Sequence, residues 1–363
     1  MMRKKILMVG PDRGVHGGIS AVVNEYYKAG LDDRVELKYI STMREGSKLK
    51  KALIAGYAYL DFLTKLGWCD IVHVHFSSDS SFIRKSFFIK TAYKHGKKIV
   101  LHQHGGDFIN YYENQLNDRQ RKNVKDILSM GNKMLVLTSF WKEFFSTIIN
   151  GEKIEVFPNS IVTNDSNRVA YAMDGNTNAL LADKDFTKIL FLGRICREKG
   201  LDELLEAMDG IHVMIPEAKL YIGGIYEDES YKEEFGKRSD YITYLGWLDE
   251  KEKDMYLKKC GILVLPSYFE GFGMTIIEAM LREDAVIGSN VGGIPDIIEN
   301  GENGILIPAK DSFALKNALL ELINDKEKAK EYGKKGKEKV KKYYSVEKNI
   351  EKLLDVYERC MSE

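Results

Sequence analysis

The chain has 363 residues, of which 44% are hydrophobic and 30% are charged, and its basic and acidic side chains are equal in number. A chain longer than about 300 residues exceeds the size that one hydrophobic core usually supports, so its length favours two domains. No stretch approaches the ~20 apolar residues that a membrane-spanning helix needs. The four cysteines form no C-x-x-C pair, which argues against a zinc site or a disulfide framework and favours a reducing cytoplasm.

The charge is unevenly distributed along the chain. Residues 1–165 carry 25 basic and 17 acidic side chains, an excess of eight positive charges that the remainder balances. A basic half is typical of a domain that meets an anionic partner, such as a lipid headgroup or a lipid diphosphate. Ordinary scatter of surface charge is the alternative.

Short runs rich in β-branched residues alternate with helical stretches. Most runs are apolar on both faces, as strands of a parallel sheet covered by helices must be, so the pattern predicts two α/β domains. A polar segment from about Val162 to Thr187 places the boundary at 165/166, and a last amphipathic helix is expected over about 346–363. The predicted strands are 6–10, 71–76, 99–104, 134–138, 154–158, 189–193, 220–224, 242–246, 262–266, 285–288 and 304–308.

A glycine-rich turn follows the first predicted strand and leads into the first helix. It includes Gly14, Gly17 and Gly18. The turn lacks the G-x-G-x-x-G spacing of a dinucleotide-binding fingerprint, so on its own it is a weak sign of a nucleotide site.

Four histidines lie on two of the predicted strands. His73 and His75 alternate with valines and could bind a metal or serve the structure; because no carboxylate or cysteine stands at ligand spacing, we predict a structural or cleft-lining role and no metal. His102 is expected in the core. His104 ends its strand at the carboxyl edge, where α/β sheets place ligands.

A basic and aromatic helix is predicted after the strand that carries His73 and His75. Its composition is typical of a segment that lies on an anionic membrane surface, and an ordinary crossover helix with a solvated basic face is the alternative. The basic residues are Arg84, Lys85, Lys90, Lys94, Lys97 and Lys98, and the aromatic residues are Phe82, Phe87, Phe88 and Tyr93.

In the second half, residues 193–200 leave a buried strand and lead into a helix. Arg194 and Lys199 stand beside the start of that helix. Two fixed cations and the free N–H groups of a helix N-terminus can stabilise negative charge without a metal.

Residues 266–280 form a second strand, turn and helix. Glu270 is expected in the turn and Glu278 inside the helix, so the two carboxylates can reach opposite ends of one ligand. On their spacing alone, two solvated acids are the alternative. Carboxylate acceptors suit sugar hydroxyls, while Gly271 and Gly273 allow a ligand to approach the backbone closely.

These segments together resemble the retaining GT-B glycosyltransferase family four, the glycosyl transferases group 1. The resemblance implies a GT-B fold, in which two Rossmann-like domains have parallel sheets facing a central cleft. Residues 1–165, joined by the helix at 346–363, would bind the acceptor, and residues 166–345 would bind the donor. The matching motifs are Pro266-Ser267-x-x-Glu270-Gly271-Phe272-Gly273-Met274-x-x-x-Glu278-Ala279-Met280, Gly193-Arg194 with Lys199-Gly200, His104-Gly105, Pro158-Asn159 and Gly292-Gly293-x-Pro295-Asp296.

The resemblance also implies roles for individual residues. Glu270 would contact the donor sugar and Glu278 the nucleotide ribose, while Arg194 and Lys199 would hold the diphosphate. His104 would contact the sugar hydroxyls. The other donor-binding residues would be Gly17, Gly18, Gly193, Gly271, Phe272, Gly273, Met274 and Thr275.

Two further positions depend on the comparison with the family. Asp107 either orients an acceptor hydroxyl or caps the next helix. Where the family usually has a glycine turn, this sequence has Arg282-Glu283-Asp284, which we expect to alter only a surface turn.

The expected reaction transfers a sugar, with retention at the anomeric carbon, from a nucleoside-diphosphate donor to a hydroxyl of a glycan or a polyprenyl-diphosphate-linked acceptor. A UDP-sugar is the favoured donor, and GDP-mannose is the second candidate. The expected setting is cell-surface polysaccharide synthesis, such as capsule or exopolysaccharide, on the inner face of the cell membrane, with no cofactor, metal or nucleic acid. The alternatives are a pyridoxal-phosphate phosphorylase, a nucleotide-sugar epimerase of the same fold and a catalytically silent binding subunit.

Overall fold

The computed structural model describes residues 3–15, 17–163 and 184–362, with the backbone alone at Lys48. The chain forms two compact units. Unit 1 comprises Met1–Val162 and Tyr344–Glu363, and unit 2 comprises Thr163–Tyr343. The boundary predicted at 165/166, and most of the polar segment around it, lie outside the described residues.

Unit 1 is built on a six-stranded sheet in the order β2-β1-β3-β4-β5-β6, with every pairing parallel. The edge strand β2 was not predicted, because Ile40 alone of its six residues is buried and its sequence alternates polar and apolar over the first four. The strands are β1 (Lys5–Gly10), β2 (Glu36–Ser41), β3 (Ile71–Phe76), β4 (Lys98–Gln103), β5 (Lys133–Val136) and β6 (Ile154–Val156).

Helices cover this sheet, and the C-terminal helix packs in the same core as β1, β3 and β4. They are α1 (Gly18–Lys28), α2 (Leu31–Arg34), α3 (Lys48–Leu66), α4 (Asp79–Lys94), α5 (Phe108–Asn110), α6 (Asp118–Ser129), α7 (Ser139–Ser146) and, from the end of the chain, α15 (Val346–Ser362). A π-helical turn (Tyr111–Gln115) follows α5, and a 3-10 turn (Gly151–Lys153) precedes β6.

The basic and aromatic helix predicted from sequence is α4, and its residues divide between core and surface. Phe82, Lys85 and Phe88 are buried, so they cannot belong to a lipid-facing surface. The Lys85 ammonium donates to the hydroxyl of Thr42, which in turn donates to the Gly10 carbonyl oxygen at 2.8 Å. Burial lowers the pKa of Lys85 well below its usual range.

Unit 2 has a second parallel six-stranded sheet, in the order β12-β11-β10-β7-β8-β9. The two sheets with their helices confirm the predicted α/β class. The strands are β7 (Asp185–Leu192), β8 (Lys219–Gly223), β9 (Ile242–Gly246), β10 (Cys260–Leu265), β11 (Ala285–Ser289) and β12 (Ile305–Ile307). The helices are α8 (Leu201–Met214), α9 (Tyr231–Gly236), α10 (Glu250–Lys259), α11 (Met274–Leu281), α12 (Ile294–Ile297), α13 (Ser312–Asn324) and α14 (Lys326–Tyr343), with a 3-10 turn at Arg197–Lys199.

Within the residues that the structure covers, no helix combines the length and the apolar character needed to cross a membrane. All four cysteines are buried thiols.

The expectation that residues 282–284 alter only a surface turn is wrong. Asp284 is 1% exposed and forms an ion pair with Lys184 at the start of β7. The same ammonium donates to the carbonyl oxygens of Leu257, at 2.8 Å, and Cys260, at 3.3 Å. The turn therefore anchors the ends of α10, β7 and β10 through one enclosed cation.

We expect Lys184→Met to lower the free energy of unfolding by about 3–5 kcal/mol, because it leaves the Asp284 carboxyl buried without its counter-charge. The double variant Lys184→Met/Asp284→Leu should recover most of that loss. Urea unfolding of both variants measures the difference. Lys188→Met, which breaks the half-exposed 2.8 Å pair with Asp185, is the matched control and should cost under about 1 kcal/mol. Equal losses in the single and double variants would contradict this account of the pair.

Candidate functional site

The candidate site of unit 2 lies at the carboxyl ends of β7 and β10. These strands pair in parallel, so the loops that follow them leave the same edge of the sheet. The loops touch through their backbones: a Cβ on Gly200 would lie 2.0 Å from the Pro266 carbonyl oxygen, and φ at Gly200 is +72°. The Tyr268 N–H also donates to the Glu198 carbonyl at 2.9 Å. No side chain larger than hydrogen fits at Gly200.

The loop between β11 and α12 is the third loop of the site, and it contacts the turn that carries Glu270. A Cβ on Gly292 would lie 2.1 Å from the Glu270 carbonyl oxygen, and φ at Gly292 is +53°. The Gly293 N–H donates to the same carbonyl at 2.9 Å. The backbone of Glu270 is therefore fixed. The turn that carries Glu270 continues through Gly273 into α11.

Lys199 and Glu270 form an ion pair across the first two loops. Lys199 Nζ lies 2.6 Å from Glu270 Oε2, and the side chains are 14% and 19% exposed. The partial exposure keeps both groups within reach of a ligand, while their mutual contact compensates both charges in its absence. Lys199 also precedes the N-terminus of α8, where backbone N–H groups favour anions.

Glu278 lies inside α11, as predicted, and pairs with a cation that the sequence did not reveal. Lys253 Nζ of α10 lies 2.6 Å from Glu278 Oε1, and both side chains are mostly buried. A capping box at Asp249 and Glu252 marks where α10 begins. It carries no information about which face of α10 meets α11, so sequence alone could not find Lys253.

Arg194 forms an ion pair with Glu227, a partner that the sequence did not reveal. Arg194 Nη1 lies 2.9 Å from Glu227 Oε1 and 2.8 Å from Oε2, and both side chains are exposed. Glu227 follows β8, the neighbour of β7, so its place at this edge follows from the sheet order.

Four imidazoles stack at the carboxyl side of β3 and β4 in unit 1. His73 Nδ1 hydrogen-bonds to the Tyr357 hydroxyl at 2.7 Å, and His73 Nε2 to His102 Nδ1 at 3.3 Å. His75 Nδ1 and His104 Nε2 are 2.7 Å apart. His102 is fully buried, as expected.

Hydrogen bonds already engage both ring nitrogens of His73. Ligand nitrogens of His73, His75 and His102 all lie within 4.8 Å of one another, as a metal site would require. However, His73 uses Nδ1 for the Tyr357 hydroxyl and Nε2 for His102 Nδ1, so a metal bound by His73 would have to replace one of these hydrogen bonds. The structural or cleft-lining role stays the prediction.

Burial keeps the stack uncharged. It lowers the pKa of His73 and His104 to about 3 and the pKa of His75 and His102 well below the usual range. His104 therefore ends β4 as a neutral imidazole, which can donate or accept a hydrogen bond but contributes no positive charge.

The remaining residues predicted for unit 1 flank two short loops. Gly17 caps α1, and a Cβ at Gly17 or Gly18 would meet nothing within 4 Å, so these glycines leave the start of α1 open. Asp107 stands at the N-cap of α5. In the part of the chain that the structure describes, its carboxylate makes no capping hydrogen bond.

The structure thus brings some predicted residues together within unit 2. Gly193, Arg194 and Lys199 follow β7 in one loop, and Lys199 joins them to the turn that carries Glu270. Phe272 is buried beneath that turn. The residues that continue from it into α11 are Gly271, Gly273, Met274, Thr275 and Glu278.

Comparison with known proteins gives three findings. The model of the family "Glycosyl transferases group 1" matches residues 174–339. An uncharacterized glycosyltransferase of Methanocaldococcus jannaschii is 31% identical over 291 residues, which are 75% of this chain and 80% of the relative. Two solved structures share the fold. Sucrose-phosphate synthase from Thermosynechococcus elongatus has a TM-score of 0.79 at 20% identity, over 99% of this chain and all of that one. Anabaena HepE in complex with UDP and glucose has a TM-score of 0.74 at 15% identity, over 98% and 99% of the two chains.

We expect the free energy of unfolding to fall as the pH is lowered from about 6.5 toward 4. The folded pKa values of the stacked imidazoles lie below the ~6.5 of an exposed histidine, so the unfolded chain binds more protons in this window, and stability is lost as the pH falls. Each imidazole contributes a slope of about 1.4 kcal/mol per pH unit.

Urea unfolding between pH 7.5 and 5 measures this slope. His102→Met should reduce the slope by about 1.4 kcal/mol per pH unit, the contribution of one imidazole. His95→Gln, which changes an exposed histidine on the same unit, is the control and should leave the slope unchanged. A slope that is the same in wild type and His102→Met would show that the stack is not held neutral.

Proposed function

The chain belongs to the glycosyl transferases group 1 family, and on that premise we propose that it transfers a sugar from a nucleoside diphosphate to an acceptor hydroxyl. The Lys199–Glu270 pair carries the proposal, because it sets an ammonium and a carboxylate side by side between two interlocked loops. An ammonium suits a phosphate, and a carboxylate suits sugar hydroxyls. UDP is the favoured nucleotide, supported by the UDP and glucose in the HepE complex.

The donor diphosphate is assigned to Lys199, Arg194 and the N-terminus of α8. Charge grows on the diphosphate as the bond to the sugar breaks, and fixed cations that meet this charge lower the barrier. Arg194 holds Glu227 through Nη1 alone within the described residues, so the N–H groups on its other two nitrogens remain for a phosphate. Once a phosphate engages Lys199, Glu270 is released to accept hydrogen bonds from the sugar.

The proposed ribose contact is Glu278. Its pairing with Lys253 holds the carboxylate in place, and the two oxygens give it acceptor capacity beyond one ammonium. In unit 1, neutral His104 is proposed to hydrogen-bond to sugar hydroxyls, and Asp107 to orient the acceptor, which its lack of a capping bond supports.

Retention is proposed to proceed without an enzyme nucleophile. Once released from Lys199, Glu270 is proposed to accept hydrogen bonds from the sugar hydroxyls, and these bonds lower its readiness to attack the anomeric carbon. In this scheme the departing phosphate accepts the proton of the acceptor hydroxyl, and the protein supplies positioning and electrostatic stabilisation. The acceptor is proposed to be a glycan or a lipid-linked sugar of a surface polysaccharide, and the site of action the cytoplasm, which the four buried thiols support.

Nucleotide recognition is the first test of the proposal. In a thermal-shift panel, UDP and UDP-sugars should raise the melting temperature of the wild type more than GDP, ADP or their sugars. A ligand at about 100 times its Kd stabilises the fold by about 2.7 kcal/mol, which such a screen resolves. No shift with any nucleotide would reject the donor assignment.

Lys199→Ala should reduce kcat by about 10²–10³ and change donor affinity less, because charge develops on the diphosphate chiefly in the transition state. Release of UDP from a UDP-sugar, with and without acceptor sugars, measures both constants. Lys337→Ala is the control: it breaks a pair of the same 2.6 Å length, with Glu283, outside the proposed site, and should leave kcat unchanged. An unaltered kcat in Lys199→Ala would remove this residue from the mechanism.

Turnover should persist in the presence of EDTA. Lys199, Arg194 and the start of α8 already offer positive charge to the diphosphate. The sequence has one Asp-x-Asp, Asp183-Lys184-Asp185, and it stands at the amino end of β7, whereas the proposed site lies at the carboxyl end of that strand. UDP release measured before and after chelation tests this. Loss of activity that magnesium or manganese restores would contradict it.

A further inference from the structure

Helix α3 exposes an apolar stripe that no other described part of the chain covers. Leu49, Leu53, Tyr57 and Leu60 are spaced by four, four and three residues, so they share one face. Their exposures are 72%, 68%, 74% and 64%. Isolated exposed apolar side chains are ordinary, but a continuous row of four large ones along one helix marks an interaction surface.

The opposite face of α3 packs against α4. Phe62 is buried, with its ring 5.0 Å from that of Phe88 on α4, and the Tyr59 hydroxyl lies 2.7 Å from the hydroxyl of Thr91. The helix is therefore held firmly from behind, while the stripe faces outward. On α4, Ile83 and Phe87 add a second exposed apolar pair.

The charges around α3 identify the partner. Residues 44–66 carry five basic and two acidic side chains, and the only acid within α3, Asp61, is paired with Lys65 at 2.6 Å. Lys50 and Lys51 are exposed in the first turn of the helix. Lys50 lies beside Leu49 and Leu53, whereas Lys51 leaves the helix on the side of Phe62. An apolar face with lysines at its N-terminal end matches the boundary between the acyl chains and the anionic headgroups of a bilayer.

The stripe also forms one wall of a groove that reaches the sheet. A cavity of about 440 Å³ is lined by Leu53 and Tyr57 of α3 and by Tyr39, Ser41 and Arg44 at the carboxyl end of β2. A molecule whose apolar part lies in the bilayer would therefore find polar groups at the carboxyl edge of the unit 1 sheet directly behind the docked helix.

We propose that α3 docks this chain on an anionic lipid bilayer, with Leu49, Leu53, Tyr57 and Leu60 inserted among the acyl chains, Lys50 on the headgroups and Lys51 within the range of their charge. The surface predicted from sequence was α4, but the burial of Phe82, Lys85 and Phe88 moves the docking face to α3. The inference goes beyond the transfer reaction and does not depend on it.

Sedimentation of the full chain with vesicles tests the proposal. Vesicles of equimolar phosphatidylglycerol and phosphatidylcholine should bind the protein, and vesicles of phosphatidylcholine alone should bind it at least about tenfold less. Binding should weaken as sodium chloride rises to about 0.5 M, because the screening length falls below 10 Å. Equal binding to both kinds of vesicle, or binding insensitive to salt, would overturn the proposal.

Variants locate the surface. Leu53→Ser/Tyr57→Ser and Lys50→Gln/Lys51→Gln should each reduce partitioning at least about tenfold. Val213→Ser/Met214→Ser, two equally exposed apolar residues of unit 2, and Lys251→Gln/Lys326→Gln, two exposed lysines of unit 2, are the matched controls and should bind as wild type. Controls that lose as much binding as the α3 variants would overturn the assignment.

Further measurements distinguish loss of membrane binding from misfolding and from dimerisation. Circular dichroism and thermal unfolding should match wild type in every variant, since the changed side chains are exposed. If wild type sediments as a dimer without lipid and Leu53→Ser/Tyr57→Ser as a monomer, the stripe is covered by a second copy and the bilayer proposal fails. The nucleotide-induced thermal shift should be unchanged in the α3 variants, so failure of the membrane proposal leaves the proposed function standing.

Discussion

The arrangement at the carboxyl edge of the unit 2 sheet depends on backbone contacts that have no space for a methyl group. Gly200 against the Pro266 carbonyl, and Gly292 against that of Glu270, bring three loops closer than any other residue would allow. A side chain at either glycine would have to separate the loops. Because Lys199 precedes one of these contacts and Glu270 forms the other, their 2.6 Å pairing depends on both. The chemistry proposed for this site depends on steric exclusion before it depends on charge.

Much of this site could be predicted from the sequence because its cues are local. A glycine turn between a buried strand and a helix places the intervening side chains at the carboxyl edge, and the resemblance to the glycosyltransferase family singles out Lys199, Glu270 and Glu278 among them. Their partners could not be predicted in the same way. Lys253 reaches Glu278 only because α10 packs beside α11, and Glu227 reaches Arg194 only because β8 lies next to β7. Such contacts depend on the order of elements in the sheet, which local patterns do not encode.

The failures of prediction have a common physical basis in burial. Asp284 is predicted in a surface turn because acids seldom enter a core, yet the fold buries it against Lys184, whose ammonium also donates to two nearby carbonyls. Lys85 is predicted in a membrane-facing charge cluster, yet its side chain is buried and its amino group donates to the Thr42 hydroxyl. The missed strand β2 is the reverse case, since its exposure at the sheet edge removed the apolar signal on which strand prediction relies. Sequence shows which residues are charged, whereas the three-dimensional fold decides which of those charges are enclosed.

The Lys199–Glu270 contact has a consequence for how a spent nucleotide would depart. An ammonium that is 14% exposed would be left uncompensated if a bound diphosphate simply dissociated, and that penalty would slow release. Here an internal carboxylate stands within hydrogen-bond distance and can take the place of the phosphate as it leaves. Under the proposed mechanism, Glu270 would thus bind the sugar of an arriving donor and would pair with Lys199 again as the nucleotide leaves. This second pairing would assist product release.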